Sequence, residues 1–309
     1  MSTEGGQKAI LAAFAANLGI AISKFVGFAF TGAASMLAEA VHSVADTSNQ
    51  GLLLLGGRRA RRPATEQHPF GFGRERYFWS FVVAVVLFTA GALFALFEGE
   101  EKFRHPHELD SVGWAVGILV VAIILESFSL RTAIRESAHL KGDQPWWAFV
   151  RHAKVPELPV VLLEDVGALC GLVFALGGVG LAEITGNPRF DAVGSLAIGA
   201  LLAVIAIILA MEMKSFLIGE AAAPEQVRRI ASSIEGTDGV LRLVHLRTEH
   251  LGPDDLLVVG KITVDPEAGT AATAALIDRA EAAVRASVPQ ARLIFLEPDV
   301  EQGSPPASQ

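Results

Sequence analysis

An apolar stretch of the chain, running from about Ala33 to Leu55, carries three ionisable side chains where a membrane-spanning helix would bury them. In a helix, Glu39, His42 and Asp46 stand at positions i, i+3 and i+7, so all three project from one face. A charged group at bilayer depth costs at least ~2.5 kcal/mol. A divalent cation held by an imidazole and a carboxylate would offset this cost, so His42 and Asp46 are a candidate metal-binding pair. The alternative is a polar pair that only packs two helices together.

A second apolar stretch, residues 158–182, contains two adjacent carboxylates, Glu164 and Asp165. Neighbouring positions in a helix are ~100° apart, so one carboxylate can face the helix of His42 while the other faces another helix or water. With His42 and Asp46 they supply three or four nitrogen and oxygen ligands, enough for tetrahedral Zn²⁺ or a looser Mn²⁺ site. Helix packing or proton relay is the alternative role for the two acids.

The composition indicates a membrane protein and argues against several other classes. Of the 309 residues, 51% are hydrophobic, and they cluster in the first two-thirds of the chain. The net charge of −8 argues against nucleic acid as a partner. The chain has a single cysteine, Cys170, so an internal disulfide framework and a zinc site made of thiolates are both excluded.

The apolar segments predict a polytopic α-helical membrane protein with six transmembrane helices, because each segment is long enough to cross a ~30 Å hydrocarbon core. Within a transmembrane domain of residues 8–213, we place the six spans at residues 8–30, 33–55, 78–97, 112–131, 158–182 and 190–213. Arginine and lysine concentrate in the loops that join span 2 to span 3 and span 4 to span 5. The positive-inside rule places these loops, and with them both termini, in the cytoplasm.

The first span also carries two polar residues, Asn17 and Lys24, which need partners or an aqueous cavity. Lys24 can extend to the membrane interface or pair with Glu39, and we favour a structural ion pair with Glu39 over a role in transport. Only Thr31 and Gly32 join the first span to the second, so we expect these two helices to form a tight hairpin.

After Met213 the sequence has the composition of a soluble domain. Its amphipathic and alternating patterns predict, in order, a helix, two strands, a helix and a strand at residues 224–236, 240–248, 256–264, 270–287 and 291–296. The order αββαβ is typical of a compact α+β domain, which we assign to residues 214–302. Residues 303–309 are predicted to be a disordered tail.

A third motif, His68-Pro-Phe-Gly-Phe-Gly-Arg74, leads into the third span. Its glycines favour a bend, and Arg74 and Arg76 would lie at the cytoplasmic interface, so we favour a structural, lipid-facing elbow. The second span reads Ser35-Met-Leu-Ala-Glu-Ala-Val-His-Ser-Val-Ala-Asp46 after Gly32. These two motifs, with six spans and an αββαβ tail, resemble the cation diffusion facilitator family over essentially the whole chain.

The resemblance implies a homodimeric antiporter that exchanges a divalent metal for protons, with a cytoplasmic ferredoxin-like domain of the metallochaperone type. The family builds its transport site from two polar residues one turn apart in the second span, here His42 and Asp46, and two in the fifth. The usual fifth-span ligand stands four residues before Asp165, where this chain has Val161, and Glu164 is the substitute. The predicted transport site is therefore His42, Asp46, Glu164 and Asp165.

Two further metal sites of the family fit this sequence less well. In the elbow, His68 matches the first of two family histidines but Phe72 stands at the second, so we expect no metal there. In the tail, His245 matches one family position. Solvated surface is the favoured interpretation there, over a weak site formed by His250, Glu249, Glu297 and Asp299.

Together these observations predict divalent metal efflux by proton antiport across the cell (inner) membrane, without a cofactor. A histidine among carboxylates favours zinc, with manganese, iron and cobalt as alternatives. A membrane-anchored metal sensor is the competing function, but ionisable residues inside the spans argue against a mere anchor. We expect no enzymatic activity, because the sequence has neither a nucleophile elbow beside a histidine nor a His-Glu-x-x-His motif.

Overall fold

The protein forms two compact units in a computed structural model that describes residues 18–107, 112–141, 143, 145–152 and 157–300. One unit contains the chain up to Arg58 together with Tyr77–Lys214, and the other contains Arg59–Arg76 together with the chain from Ser215. The segment Arg59–Arg76, which lies inside the predicted membrane domain, therefore clusters with the C-terminal unit.

The first unit is built from helices, some of which extend past its boundaries. They are α1 (Leu18–Thr31), α2 (Ala34–Ala60), α3 (Glu75–Val86), a π-helical segment (Leu87–Leu93), α4 (Phe94–Arg104), α5 (Val112–Lys141), α6 (Trp146–His152), α7 (Glu157–Thr185) and α8 (Arg189–Ile218). The α3 helix, the π-helical segment and α4 form one continuous helix.

Four helical stretches among the described residues are long and apolar enough to cross a membrane, and they coincide with the third to sixth predicted spans. These are Glu75–Arg104, Val112–Arg135, Pro159–Thr185 and Arg189–Ile218. The described part of α1 is shorter, since residues 8–17 of the first predicted span, including Asn17, lie outside the described residues. The α2 helix has 27 residues, enough length to cross, but one of its faces is polar.

Small residues bring α7 and α8 close together. A Cβ on Gly178 would lie 2.9 Å from the carbonyl oxygen of Phe190, and a Cβ on Gly194 would lie 2.9 Å from that of Phe174. Both backbones therefore approach closely, as in membrane helix pairs joined by small residues. Large apolar side chains point outward instead, where lipid would cover them, and Ile184 is 83% exposed.

The start of α2 is anchored to α8. Gly32 joins α1 to α2 with φ of 63°, a conformation that would strain a residue with a Cβ. The carboxylate of Asp191, in the first turn of α8, accepts hydrogen bonds from the backbone N–H groups of Ala34 (2.6 Å) and Ser35 (3.2 Å) and from the Ser35 hydroxyl. It satisfies N–H groups that a helix leaves unpaired in its first turn, and so fixes the position of α2 along α8.

The C-terminal unit has the predicted element order αββαβ. Its elements are α9 (Pro224–Glu235), β1 (Val240–Gly252), β2 (Asp255–Val264), α10 (Thr270–Ser287) and β3 (Leu293–Asp299). The central strand β2 is antiparallel to β1 and parallel to β3, and α10 provides the crossover that a parallel pair requires. Ile230 and Ile234 of α9 and Val284 of α10 pack with Val258 and Ile262 of β2 to form its core. The predicted disordered tail, residues 303–309, lies outside the described residues.

Within the C-terminal unit, the elbow before α3 contacts the turn between β1 and β2. Arg74 forms an ion pair with Glu249, and Arg76 lies 3.2 Å from a carboxylate oxygen of Asp254. A Cβ on Gly73 would lie 3.0 Å from the Cα of Gly252, so glycine allows the two backbones to touch. The elbow arginines, expected at the cytoplasmic interface of a lipid-facing bend, therefore bind acids of the C-terminal unit.

Candidate functional site

The polar face of α2 extends over three turns inside the membrane unit. It presents Glu39, His42, Asp46 and Asn49 at positions i, i+3, i+7 and i+10 of one helix face. The Glu39, His42 and Asn49 residues are fully buried, and the side chain of Asp46 is 16% exposed. A line of polar groups this long, on a helix that packs among apolar ones, is expensive to bury unless it binds something.

His42 and Asp46 lie together, as their spacing predicts. The Nε2 atom of His42 is 3.4 Å from Oδ2 of Asp46. Among the described residues, neither ring nitrogen of His42 nor the Oδ1 atom of Asp46 has a hydrogen-bond partner. Unpaired lone pairs on a buried imidazole and a buried carboxylate are the donor atoms that a divalent cation would use.

The Glu164 side chain of α7 faces α2. Its Oε1 atom accepts a hydrogen bond of 2.7 Å from the side-chain amide of Asn49. Glu164 is 5% exposed and lies close enough to Asp46 for the two carboxylates to repel each other. Asp46 and Glu164 therefore approach from opposite helices, an arrangement in which a cation between them would relieve the repulsion.

The neighbouring Asp165 faces another helix, α5. Its Oδ2 atom accepts a hydrogen bond of 3.1 Å from the hydroxyl of Ser129. Glu126, one turn earlier on α5, is 9% exposed and acts electrostatically on both Asp165 and Asp46. The adjacent acids of α7 thus serve two different helix contacts, as the ~100° offset between neighbouring helical positions predicts.

The four predicted ligands do not form one cluster. Within the described ranges, no three His, Cys, Asp or Glu side chains come together as a group that could hold a metal ion. The His42 and Asp46 pair and Glu164 belong to the α2–α7 contact, while Asp165 belongs to the α5–α7 contact. We take His42, Asp46 and Glu164 as the candidate site because they share the α2–α7 contact, although their side chains are not gathered around one point in this structure. Asp165 is the residue next to Glu164 on α7.

A buried ion pair lies next to this site. The Nζ atom of Lys24 on α1 is 3.0 Å from Oε2 of Glu39 and donates a hydrogen bond of 2.7 Å to the hydroxyl of Ser43. Both charged side chains are fully buried. This contact confirms the predicted ion pair between Lys24 and Glu39. On the opposite side of Glu39, Gly171 of α7 leaves room for the carboxylate, because a Cβ there would overlap Oε1.

The remaining candidate sites are occupied by other contacts. The ring of His68 packs on Phe72 with their centroids 4.6 Å apart. In the tail, Lys261 of β2 lies 3.4 Å from Glu297 and 3.5 Å from Asp299. The hydrogen bond to Glu297 and the charge of Asp299 raise the pKa of Lys261. The tail acids thus neutralise basic side chains, with Glu249 paired to Arg74 as described above.

Three polar residues of these helix contacts were not predicted. Asn49 lies three residues after Asp46 and continues the polar face of α2, so the same helical spacing indicates that it is buried beside them. Glu126 lies within the fourth predicted span, where an isolated acid was itself a signal. Asp191 stands at the start of the sixth predicted span, where a polar residue is expected at the interface, so no sequence pattern connects it with α2.

Comparison with known proteins identifies the family. Residues 10–218 match the family model described as the cation efflux transmembrane domain. The chain belongs to the cation diffusion facilitator family. This membership confirms the resemblance found in the second-span and elbow motifs.

Named relatives of this cation diffusion facilitator come from animals, a plant and bacteria. The mouse (Mus musculus) protein named "Proton-coupled zinc antiporter SLC30A9, mitochondrial" is 35% identical over 252 residues, which cover 81% of this chain and 44% of the mouse protein. The Klebsiella pneumoniae protein named "Cation-efflux pump FieF" is 26% identical over 247 residues, which cover 80% of this chain and 77% of that protein. The chain thus spans less than half the length of its mouse relative.

Among solved structures, a variant of the MamM C-terminal domain (MamM-CTD) covers 26% of this cation diffusion facilitator and 100% of its own chain. It is 23% identical, with a TM-score of 0.25.

Proposed function

We propose that this protein exports a divalent metal cation across a membrane in exchange for protons, with zinc as the preferred cation. The observation that carries the proposal is the set of buried donor atoms on facing helices, His42 and Asp46 on α2 and Glu164 on α7. An imidazole nitrogen with carboxylate oxygens suits zinc, and manganese, iron and cobalt are the alternatives. The name of the mouse relative, a proton-coupled zinc antiporter, supports the same exchange.

The proposed architecture has six transmembrane helices followed by a cytoplasmic ferredoxin-like domain of residues 214–302. The four apolar helices support four of the spans, and α1 and α2 are proposed as the other two. Because arginine and lysine concentrate in the loops on one side, both termini are assigned to the cytoplasm and the chain to the cell membrane. Pairing of two copies into a homodimer is part of the proposal. A family of transporters also supports the expectation that the chain is not an enzyme.

Proton exchange follows from competition for the same lone pairs. A free histidine has a pKa of about 6.5 and free carboxylic acids about 4, so protons and metal compete for His42, Asp46 and Glu164. A site open to a more acidic exterior takes up protons and releases its metal, and a site open to the cytoplasm loses protons and binds metal again. Each proton that enters gains ~2.3 kcal/mol per 100 mV of membrane potential. Movement of one helix group against another around a site at the membrane midplane would alternate the access.

Transport by purified protein in proteoliposomes with an imposed pH gradient tests the proposal. We expect zinc uptake by the wild type, and loss of uptake in His42→Ala and in Asp46→Ala. Ser48→Ala is the matched control, because Ser48 is exposed on α2 and its hydroxyl binds Val44 of the same helix. Normal uptake by either site variant, or equal accumulation without the pH gradient, would contradict the proposal. Uptake assays with manganese, iron and cobalt then rank the cations.

A further inference from the structure

Asn49 lies in the α2–α7 contact but is not one of the predicted metal ligands. It is fully buried, and its side-chain amide donates a hydrogen bond of 2.7 Å to Oε1 of Glu164. Its own carboxamide oxygen, Oδ1, has no hydrogen-bond partner among the described residues. Since the amide must present its NH₂ group to the carboxylate, the direction of Oδ1 is fixed as well.

The neighbours of Asn49 on α2 are the proposed ligands. Asp46 precedes it by one turn and His42 by two turns on the same helix face. The hydrogen bond from Asn49 therefore ties Glu164 of α7 to the helix that carries the other donors. Without it, the described contacts of Glu164 include no other hydrogen bond that would hold its carboxylate towards α2.

We propose that Asn49 is a positioning residue of the transport site, which acts by orienting the Glu164 carboxylate towards His42 and Asp46. The inference rests on the proposed function. Groups that orient a metal ligand commonly change metal affinity 10- to 100-fold when they are removed. A neutral amide suits this role in an export cycle. It orients the carboxylate without adding a further charge that would stay buried in the site after the cation is released.

Zinc binding by the full chain in detergent, measured by isothermal titration calorimetry, tests the inference. Asn49→Leu keeps the volume of the side chain and removes its amide, so we expect the Kd for zinc to rise at least 10-fold. In a Glu164→Ala background the same substitution should change the Kd less than twofold, because the carboxylate that Asn49 binds is already gone. Ser48→Ala, one residue earlier on the exposed side of α2, should match the wild type.

A second variant covers the case in which Asn49→Leu does not fold. In Asn49→Ser the short hydroxyl no longer reaches Glu164 but can bind a carbonyl of its own helix, as Thr47 and Ser48 do. We expect the same rise in Kd for this variant. In proteoliposomes, both variants should raise the KM for zinc more than they lower kcat.

Three results would overturn the inference. The first is a Kd within twofold of the wild type in both Asn49 variants. The second is an equal loss of zinc affinity with and without Glu164. The third is a lower unfolding temperature with unchanged zinc binding, because this result would make Asn49 a packing residue only. Failure of the proposed function is a separate outcome, since it would show as a wild type that binds zinc in calorimetry but takes up none under a pH gradient.

Discussion

Replacing Lys24 by methionine tests whether the buried ion pair of α1 and α2 is structural. The substitution keeps the length of the side chain and removes the charge that lies 3.0 Å from Glu39 and also binds Ser43. Glu39 would then be left as a fully buried carboxylate without its cation. Glu39→Gln is the reciprocal change, and the double variant Lys24→Met with Glu39→Gln removes both charges.

The geometry sets the size of the expected effect. At 3.0 Å and an effective dielectric constant of about 20, the attraction between the two charges is about 5.5 kcal/mol before the cost of desolvation. Breaking a buried pair by removing one partner typically costs about 3–5 kcal/mol, whereas replacing both partners is often close to neutral. We therefore expect Lys24→Met to destabilise the fold by about 3 kcal/mol or more and the double variant to recover most of that loss.

Unfolding of the detergent-solubilised chain, followed by the fluorescence of its four tryptophans, provides the assay. The expected order of unfolding temperatures is wild type, then the double variant, then each single variant. Zinc uptake by the double variant separates structure from transport: a structural pair predicts retained uptake. A single variant as stable as the wild type, or a double variant that loses the sum of both single losses, would refute the reasoning.

Three further predictions concern single side chains. Asp191→Ala removes the cap of α2 and should lower stability by about 0.5–2 kcal/mol in thermal unfolding, with Asp191→Asn in between. Gly171→Ala places a Cβ against Glu39, which should cost about 1–3 kcal/mol in the same assay. Because Glu297 raises the pKa of Lys261, the stabilisation by this pair should persist below the unfolded-state pKa of about 10.4 and disappear as pH rises through the higher folded-state value. A pH titration of unfolding that shows no difference between wild type and Lys261→Met across this range would contradict the last expectation.

Features of the site that depend on local spacing could be predicted from the sequence. The His42 and Asp46 contact follows from the helical repeat, and the divergence of Glu164 and Asp165 follows from the angle between neighbouring positions. The ion pair of Lys24 was predictable for another reason: a short turn joins α1 to α2, and a buried lysine has few partners available. Ionisable residues are easy to interpret in a membrane span, because burying a charge there is costly and each one needs a partner or a function.

Contacts between distant parts of the chain were not predictable in this way. Periodicity shows which face of a helix is polar, but not which other helix it meets, so the bond from Asn49 to Glu164 was missed. The elbow arginines illustrate the same limit. Basic residues beside a span are typical of the cytoplasmic interface, and nothing local connects Arg74 with Glu249, which lies 175 residues later in the chain.

The anchoring of α2 has a consequence for how the protein is made. The carboxylate that caps its first turn comes from Asp191, which follows Ala34 by 157 residues. At ~5–20 residues per second, the ribosome delivers Asp191 roughly 8 to 30 s after the start of α2 has been synthesised. During that interval the N–H groups of Ala34 and Ser35, at the start of α2, do not yet have the Asp191 carboxylate as a hydrogen-bond acceptor. The cap of α2 can therefore form only after the start of α8 has been synthesised.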